Sequence, residues 1–163
     1  MATRNIRTDG DPILRKKART VEKFDGRLHM LLEDMADTMY DSDIGVGLAA
    51  SQIGVLKRVL VYDTGDGIRE MVNPEILCQD GSIIEVEGCL SVPDVYGEVE
   101  RPEHIKVRYQ DRFGNTCTGE MKGFLSVVAC HEMDHLEGIL FTDKVIRYVD
   151  PAEHKPEGEE EME

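Results

Sequence analysis

Apolar residues recur at three- and four-residue steps through Leu28, Leu31, Leu32, Met35 and Met39, with Glu33, Asp34 and Asp37 between them. That spacing gathers the apolar side chains on one face of a 3.6-residue helix and predicts an amphipathic helix over 25–41. The pattern stops at Asp41-Ser42-Asp43, ahead of a glycine-rich segment. The run 58–63 is short and rich in β-branched residues, which predicts a strand. Segments 70–77, 82–87, 104–110 and 116–121 read the same way, punctuated by Gly65, Gly67, Gly81, Gly97 and Gly114. A second helical pattern follows over 123–136, apolar over more of its circumference. The order helix, strands, helix predicts one α+β domain with antiparallel strands around the second helix, because βαβ units would alternate the two element types.

The 163 residues make one compact domain with an adequate core, and 40% hydrophobic with 32% charged residues is ordinary for a globular chain. Lys and Arg total 19 against 33 Asp and Glu, a formal charge of −14. An acidic excess of that size repels phosphate and argues against nucleic-acid and anionic-membrane partners. No apolar run approaches the roughly 18 residues of a membrane span. Residues 1–7 are polar where a signal peptide would be apolar, so a cytoplasmic protein is expected. Residues 150–163 differ in kind: seven acidic residues, one lysine, Pro151, Pro156 and Gly158, with almost nothing apolar. They predict a disordered, solvating tail behind a folded domain spanning 1–149.

Cys78, Cys89, Cys117 and Cys130 contain no C-x-x-C spacing, so neither a zinc ribbon nor a dithiol redox pair is indicated. Reduced thiols are the expected state, which leaves a thiolate free to bind metal.

The second helix carries His131-Glu132-Met133-Asp134-His135, an H-E-x-x-H motif. On a helix, residues four apart share a face, so the two imidazoles can converge on one metal ion while Glu132 acts on a water. Val127, Val128, Ala129 and Leu136 make the flanks apolar. Burying two histidines and a glutamate there is costly unless a cation satisfies them. Val127 and Val128, one turn before the motif, are either core residues or a wall for an apolar substrate side chain, and the two roles are compatible. A third ligand must come from elsewhere. The pattern H-E-x-x-H-x-x-G-x-x-H is followed as far as Gly138 and fails at Phe141, which has no ligating atom. Glu153 and Glu157 lie only in the acidic tail. Cys89, in Glu87-Gly88-Cys89-Leu90-Ser91, is the better candidate, since it follows a predicted strand and a thiolate suits a borderline-soft cation. Cys130 adjoins His131 but points about 100° away around the helix.

A third constellation, Gly45-Val46-Gly47-Leu48-Ala49-Ala50-Ser51-Gln52, combines small residues with an amide that can donate to an oxyanion, and it fits neither a dinucleotide loop nor a P-loop. Taken together, 45–52, 87–91 and 131–135 resemble, in order and spacing, the peptide deformylases, and the resemblance extends over most of 11–145. It implies an α+β fold with the motif helix packed among antiparallel strands. It also implies a hydrolase that removes the formyl group from the N-terminal formylmethionine of new polypeptides in the bacterial cytoplasm.

By the same resemblance, Cys89, His131 and His135 bind one divalent metal, Fe(II) first, with zinc, nickel or cobalt able to occupy the site. The metal supplies hydroxide near neutral pH for attack on the formyl carbon, and Glu132 is general base and acid. The Gln52 amide and the Leu90 backbone N–H stabilise the oxyanion. The methionine side chain enters a pocket of Val46, Val86, Val127, Val128 and His131, with Glu87 and Gly88 also at the substrate site. Backbone around Gly47 pairs with the extended substrate as an added strand.

Departures from the commonest family pattern are Cys130 before the first histidine, where glutamine is frequent, and Tyr96, where some members carry arginine. The long basic C-terminal helix of some members is lacking, so ribosome proximity is expected without that contact, for a chain acting as a monomer. Arg101 and Asp134 are candidates for an ion pair holding the helix. The competing readings are a zinc endopeptidase, a closed non-catalytic metal site, and an acidic binding module acting through its tail.

Overall fold

The computed structural model describes residues 2–42 and 45–152. An extended N-terminal segment leads into a 3-10 turn, Pro12–Arg15, where the Asp11 carboxylate caps the Ile13 N–H at 3.0 Å. Helix α1, Gly26–Asp41, follows, its first turn capped by Asp25. Its buried face holds Leu28, Leu31, Leu32, Met35 and Met39, the stripe that the spacing predicts. Asp34 is buried with them, and the Arg4 guanidinium accounts for it with two bonds to its carboxylate at 2.9 and 2.7 Å.

The strands are β1 Gly47–Ala49, β2 Val59–Tyr62, β3 Arg69–Asp80, β4 Ile83–Cys89, β5 Val92–Arg101, β6 His104–Gln110, β7 Thr116–Lys122 and β8 Val145–Val149. Helix α2, Phe124–Leu136, lies between β7 and β8 in the chain. All strand pairings are antiparallel, in a five-stranded sheet of order β1-β2-β3-β6-β7 and a three-stranded sheet of order β4-β5-β8. The α+β class expected from the element order is the class observed.

Three strands escape the hydrophobic pattern. β1 has only three residues. β5 contains Pro93 and Gly97, both poor strand formers. Gly97 is there because β8 crosses it: a Cβ at that position would lie 2.7 Å from Val145 Cγ1. β8 is a five-residue edge strand that leaves Ile146 and Tyr148 exposed.

The period-2 alternation of β1 and β2 divides the core. Leu48, Val59 and Val61 face α1, joining Leu28, Leu32, Met35 and Met39. Ala49, Leu60 and Tyr62 face the other way, joining Val128, Ala129, Met133 and Leu136 of α2 with Met71, Ile105 and Val107. Each fully buried Leu or Met contributes about 1.5–3 kcal/mol relative to exposure. A third cluster of Leu14, Val92, Val99, Leu140 and Phe141 lies under the smaller sheet. α2 touches β1, β2 and β7 of one sheet and β5 of the other, so its motif is held from both sides. The chain leaves α2 through Gly138 at φ +77°, pressed so close to the backbone that a Cβ would lie 2.5 Å from the Arg15 carbonyl oxygen.

No helix among the described residues is long and apolar enough to cross a membrane. Of the acidic stretch 150–163, only Asp150–Ala152 are among the described residues, and the disorder expected for the rest lies outside them.

Candidate metal centre

His131 and His135 stand one turn apart on α2 with ring centroids 5.1 Å from each other. Cys89 reaches them from the end of β4. The register of β4 on β5 slips between Glu87 and Cys89, a bulge that re-aims the last residue of the strand. Cys89 Sγ lies 3.4 Å from His135 Nε2, and a ligating atom from each of Cys89, His131 and His135 lies within 4.8 Å of the other two. Tetrahedral ligation with ordinary metal–sulfur and metal–nitrogen lengths separates S and N by about 3.6 Å. The donor set, its spacing and its burial therefore fit a single divalent cation.

A hydrogen bond orients His131, whereas His135 Nδ1 is buried without a hydrogen-bond partner among the described residues. His131 Nδ1 donates to Glu87 Oε1 at 2.9 Å, which leaves Nε2 with its lone pair for a metal. Glu87 is gripped in turn by Arg101, whose Nε and terminal nitrogen each donate to one carboxylate oxygen at 2.9 Å. The other terminal nitrogen of Arg101 donates to Asp134 at 2.6 Å, the ion pair anticipated from the sequence, and Lys144 reaches the same carboxylate at 3.0 Å. Burial alone would raise the Glu87 carboxyl, yet the bonds from Arg101 and His131 hold it at about 2. Burial also pulls His135 well below the ordinary imidazole value, keeping it neutral as a ligand must be.

Glu132 follows His131 on α2 and interacts electrostatically with its ring. It is 4% exposed, its Oε1 has no hydrogen-bond partner, and burial pushes its carboxyl up to about 7. Its other oxygen sits over Gly47, where a Cβ would be 2.7 Å away, so β1 carries glycine because the carboxylate occupies that room. Gln52, in the 3-10 turn Ala50–Ile53, is oriented at both ends of its amide. Its Oε1 accepts from the Ala49 N–H at 3.0 Å, and its Nε2 donates to Ser91 Oγ at 3.1 Å, 3.6 Å from Cys89 Sγ.

The other residues singled out from sequence are placed as follows. Leu90 forms the turn after Cys89 and is half-buried, its side chain against the Gly45 segment. Val46 is exposed at the entry to β1, and Val86 is half-buried in β4. Gly88 is exposed beneath the Tyr96 ring. Val127 is buried one turn before His131, and Val128 is packed into the core between α2 and the larger sheet. Phe141 stacks on the His131 ring at 6.0 Å between centroids. Cys130 lies on the other side of α2 with Met133 and Asp134, lining a separate cleft shared with Arg58, Ile76 and Lys144, and burial pushes its thiol up. All four cysteines are free thiols. The link from Arg101 to Glu87 was not legible in the sequence, because nothing local joins residues brought together by a hairpin.

The chain is similar to known proteins over most of its length. The polypeptide deformylase family model matches residues 3–150. A peptide deformylase of Caldicellulosiruptor bescii is 60% identical over 153 residues, 94% of this chain and 92% of its own length. One from Acetivibrio thermocellus is 57% identical over 94% of this chain and 89% of its own. The crystal structure of peptide deformylase from Thermotoga maritima superposes with a TM-score of 0.87 at 44% identity, covering 89% of this chain and 99% of that one. A peptide deformylase structure from Legionella pneumophila gives 0.85 at 45% identity, covering 88% and 86%. With matches of this extent and identity, the chain belongs to the peptide deformylase family, hydrolases of the N-formyl amide.

Proposed function

We propose that the protein removes the formyl group from N-formylmethionyl nascent peptides, using Cys89, His131 and His135 as ligands to one divalent metal and Glu132 as general base and acid. The observation that carries this reading is an unpartnered, buried Glu132 oxygen beside the sulfur–nitrogen–nitrogen cluster. A bound cation supplies Lewis acidity there and lowers the pKa of a water to near neutrality. Glu132 takes the proton of the attacking water and returns it to the departing methionine amine. The Gln52 amide and the Leu90 N–H donate to the oxyanion that forms on the formyl oxygen, interactions of a kind worth about 3–4 kcal/mol each in the transition state.

The binding groups follow from the same arrangement. β1 and β4 are both terminal strands of their sheets, so an extended peptide can add its backbone beside Gly47. The methionine side chain enters among Val46, Val86, Val127, Val128 and His131, with Glu87 and Gly88 bordering the site. Fe(II) is the metal proposed for the cell, and zinc, nickel or cobalt suit the same donors. The setting proposed is the bacterial cytoplasm near the ribosome, with the chain acting as a monomer and the acidic residues 150–163 as a solvating tail behind a catalytic domain of 1–149.

Formate release from formyl-Met-Ala-Ser, measured with metal occupancy alongside, tests the reading. One formate is expected per peptide, with the peptide bonds intact. Internal cleavage of unblocked peptides without formate release would instead identify an endopeptidase.

A further inference from the structure

Residues 2–8 lie along the surface as a largely exposed segment without regular structure and end in a turn at Asp9–Gly10, closed by the Asp11 N–H on the Thr8 carbonyl at 3.0 Å, yet the backbone amides of Arg7 and Asp9 are committed to the interior. The Arg7 N–H donates to the Gln52 carbonyl at 2.7 Å, and the Asp9 N–H donates to the Ser91 carbonyl at 2.7 Å. Residues two apart in an extended chain present their N–H groups along the same edge, which is why one short segment can make both bonds. The two acceptors belong to different halves of the fold. Gln52 follows β1 of the five-stranded sheet, whereas Ser91 sits between β4 and β5 of the three-stranded sheet, and the two sheets share no strand.

The segment is anchored on both sides of these bonds. Upstream, the Arg4 N–H donates to Thr38 Oγ1 at 2.9 Å and its guanidinium grips Asp34, fixing the chain to α1. Downstream, the Arg7 guanidinium lies over Gly54 and pairs with Asp11 at 3.0 Å, and Asp11 caps the 3-10 turn Pro12–Arg15.

We infer that this segment is a strap that sets the separation of the two oxyanion donors, Gln52 and Leu90, so that Arg7 and Asp9 are positioning residues acting through their backbone N–H groups. The inference rests on the reading of Gln52 and Leu90 given above. Gln52 carries its donor at one end and the Arg7 bond at its carbonyl. Leu90 immediately precedes the residue held by Asp9. Without the strap, the two donors are linked through the Gln52–Ser91 side-chain bond and the intervening core, and the cleft between β1 and β4 can widen. Sub-ångström misplacement of such donors is what slows a reaction without preventing binding.

Proline removes the amide hydrogen while also fixing φ near about −65° and restricting the residue before it, so Arg7→Pro and Asp9→Pro are the direct variants, and Arg7→Ala is the control for the lost guanidinium contacts with Gly54 and Asp11. Each is expected to keep its metal, to hold KM for formyl-Met-Ala-Ser within about twofold, and to lose about tenfold or more in kcat. Arg7→Ala restores the amide and is expected to recover most of the kcat lost in Arg7→Pro. In a Gln52→Ala background, Arg7→Pro should cost little further, because the donor it positions is gone. Equal fold-losses in both backgrounds, or an unchanged kcat in both proline variants, would overturn the strap. Should Arg7→Pro not fold, Asp9→Pro is read instead by its kcat loss at near-constant KM, with Asp9→Ala, which restores the amide, expected to recover most of that kcat. If Gln52→Ala itself keeps full kcat, the oxyanion reading falls and the strap falls with it, an outcome distinct from a silent Arg7→Pro beside a crippled Gln52→Ala.

Discussion

Glu132→Gln is expected to keep its metal and lose about 10²- to 10⁴-fold in turnover, the range spanned by general acid–base catalysis from a positioned side chain. The amide has nearly the shape of the carboxylate, so it can occupy the room left by Gly47, where a Cβ would lie 2.7 Å from the Glu132 oxygen. It cannot accept a proton from water or carry one to the leaving amine. The three ligands do not depend on Glu132, since His131 is oriented by Glu87 and Cys89 comes from β4. Metal per chain should therefore be unchanged while formate release collapses. The melting temperature should hold or rise, because an amide costs less to bury than a carboxylate with one unpartnered oxygen. Full turnover in Glu132→Gln would remove the residue from the chemistry. Loss of the metal would instead make it a ligand.

The second large effect is structural in origin and catalytic in consequence. Arg101 is 3% exposed and is held by Glu87 through a two-pronged pair and by Asp134 through a third bond. Arg101→Ala strands a buried carboxylate, and breaking a buried pair from one side typically costs about 3–5 kcal/mol. It also frees Glu87 from the geometry in which it accepts the His131 Nδ1–H hydrogen bond. Losing an orienting partner behind a ligating histidine lowers metal affinity by about 10- to 100-fold. Arg101→Lys should restore little, because an ammonium cannot reproduce the planar fork that matches the Glu87 carboxylate. Denaturant unfolding and metal titration of both variants measure the two losses separately. A variant within about 1 kcal/mol of the parent and with unchanged affinity would show that the Arg101–Glu87–His131 chain carries no such weight.

What the sequence disclosed and what it withheld follow from the range of the interactions involved. α1 and α2 were legible because their cores are built from residues three and four apart, and β2, β3, β4, β6 and β7 because each has its own β-branched or alternating run. β3 runs on to Asp80, past the apolar residues, because β6 supplies backbone partners as far as His104. β1, β5 and β8 were not legible, since tertiary pairing makes strands of a three-residue segment, a Pro- and Gly-containing segment and a short edge. At the site, His131, Glu132 and His135 share one local motif, whereas Cys89 was reached through donor chemistry and resemblance. The Arg101–Asp134 pair was anticipated, but the Glu87 arm was not, because only the β4–β5 hairpin brings Glu87 and Arg101 together. The hold of Arg7 and Asp9 on Gln52 and Ser91 left no trace at all, since backbone amides are the same in every sequence.

The claim on which the rest depends is that Cys89, His131 and His135 share one cation. X-ray absorption at the metal edge of anaerobically prepared protein reads that coordination directly. One sulfur at about 2.3 Å and two imidazole nitrogens at about 2.0–2.1 Å are predicted, using the bond lengths of zinc as the guide. The sulfur signal should disappear in Cys89→Ala. A parent spectrum without sulfur, or one that survives Cys89→Ala unchanged, would contradict the account.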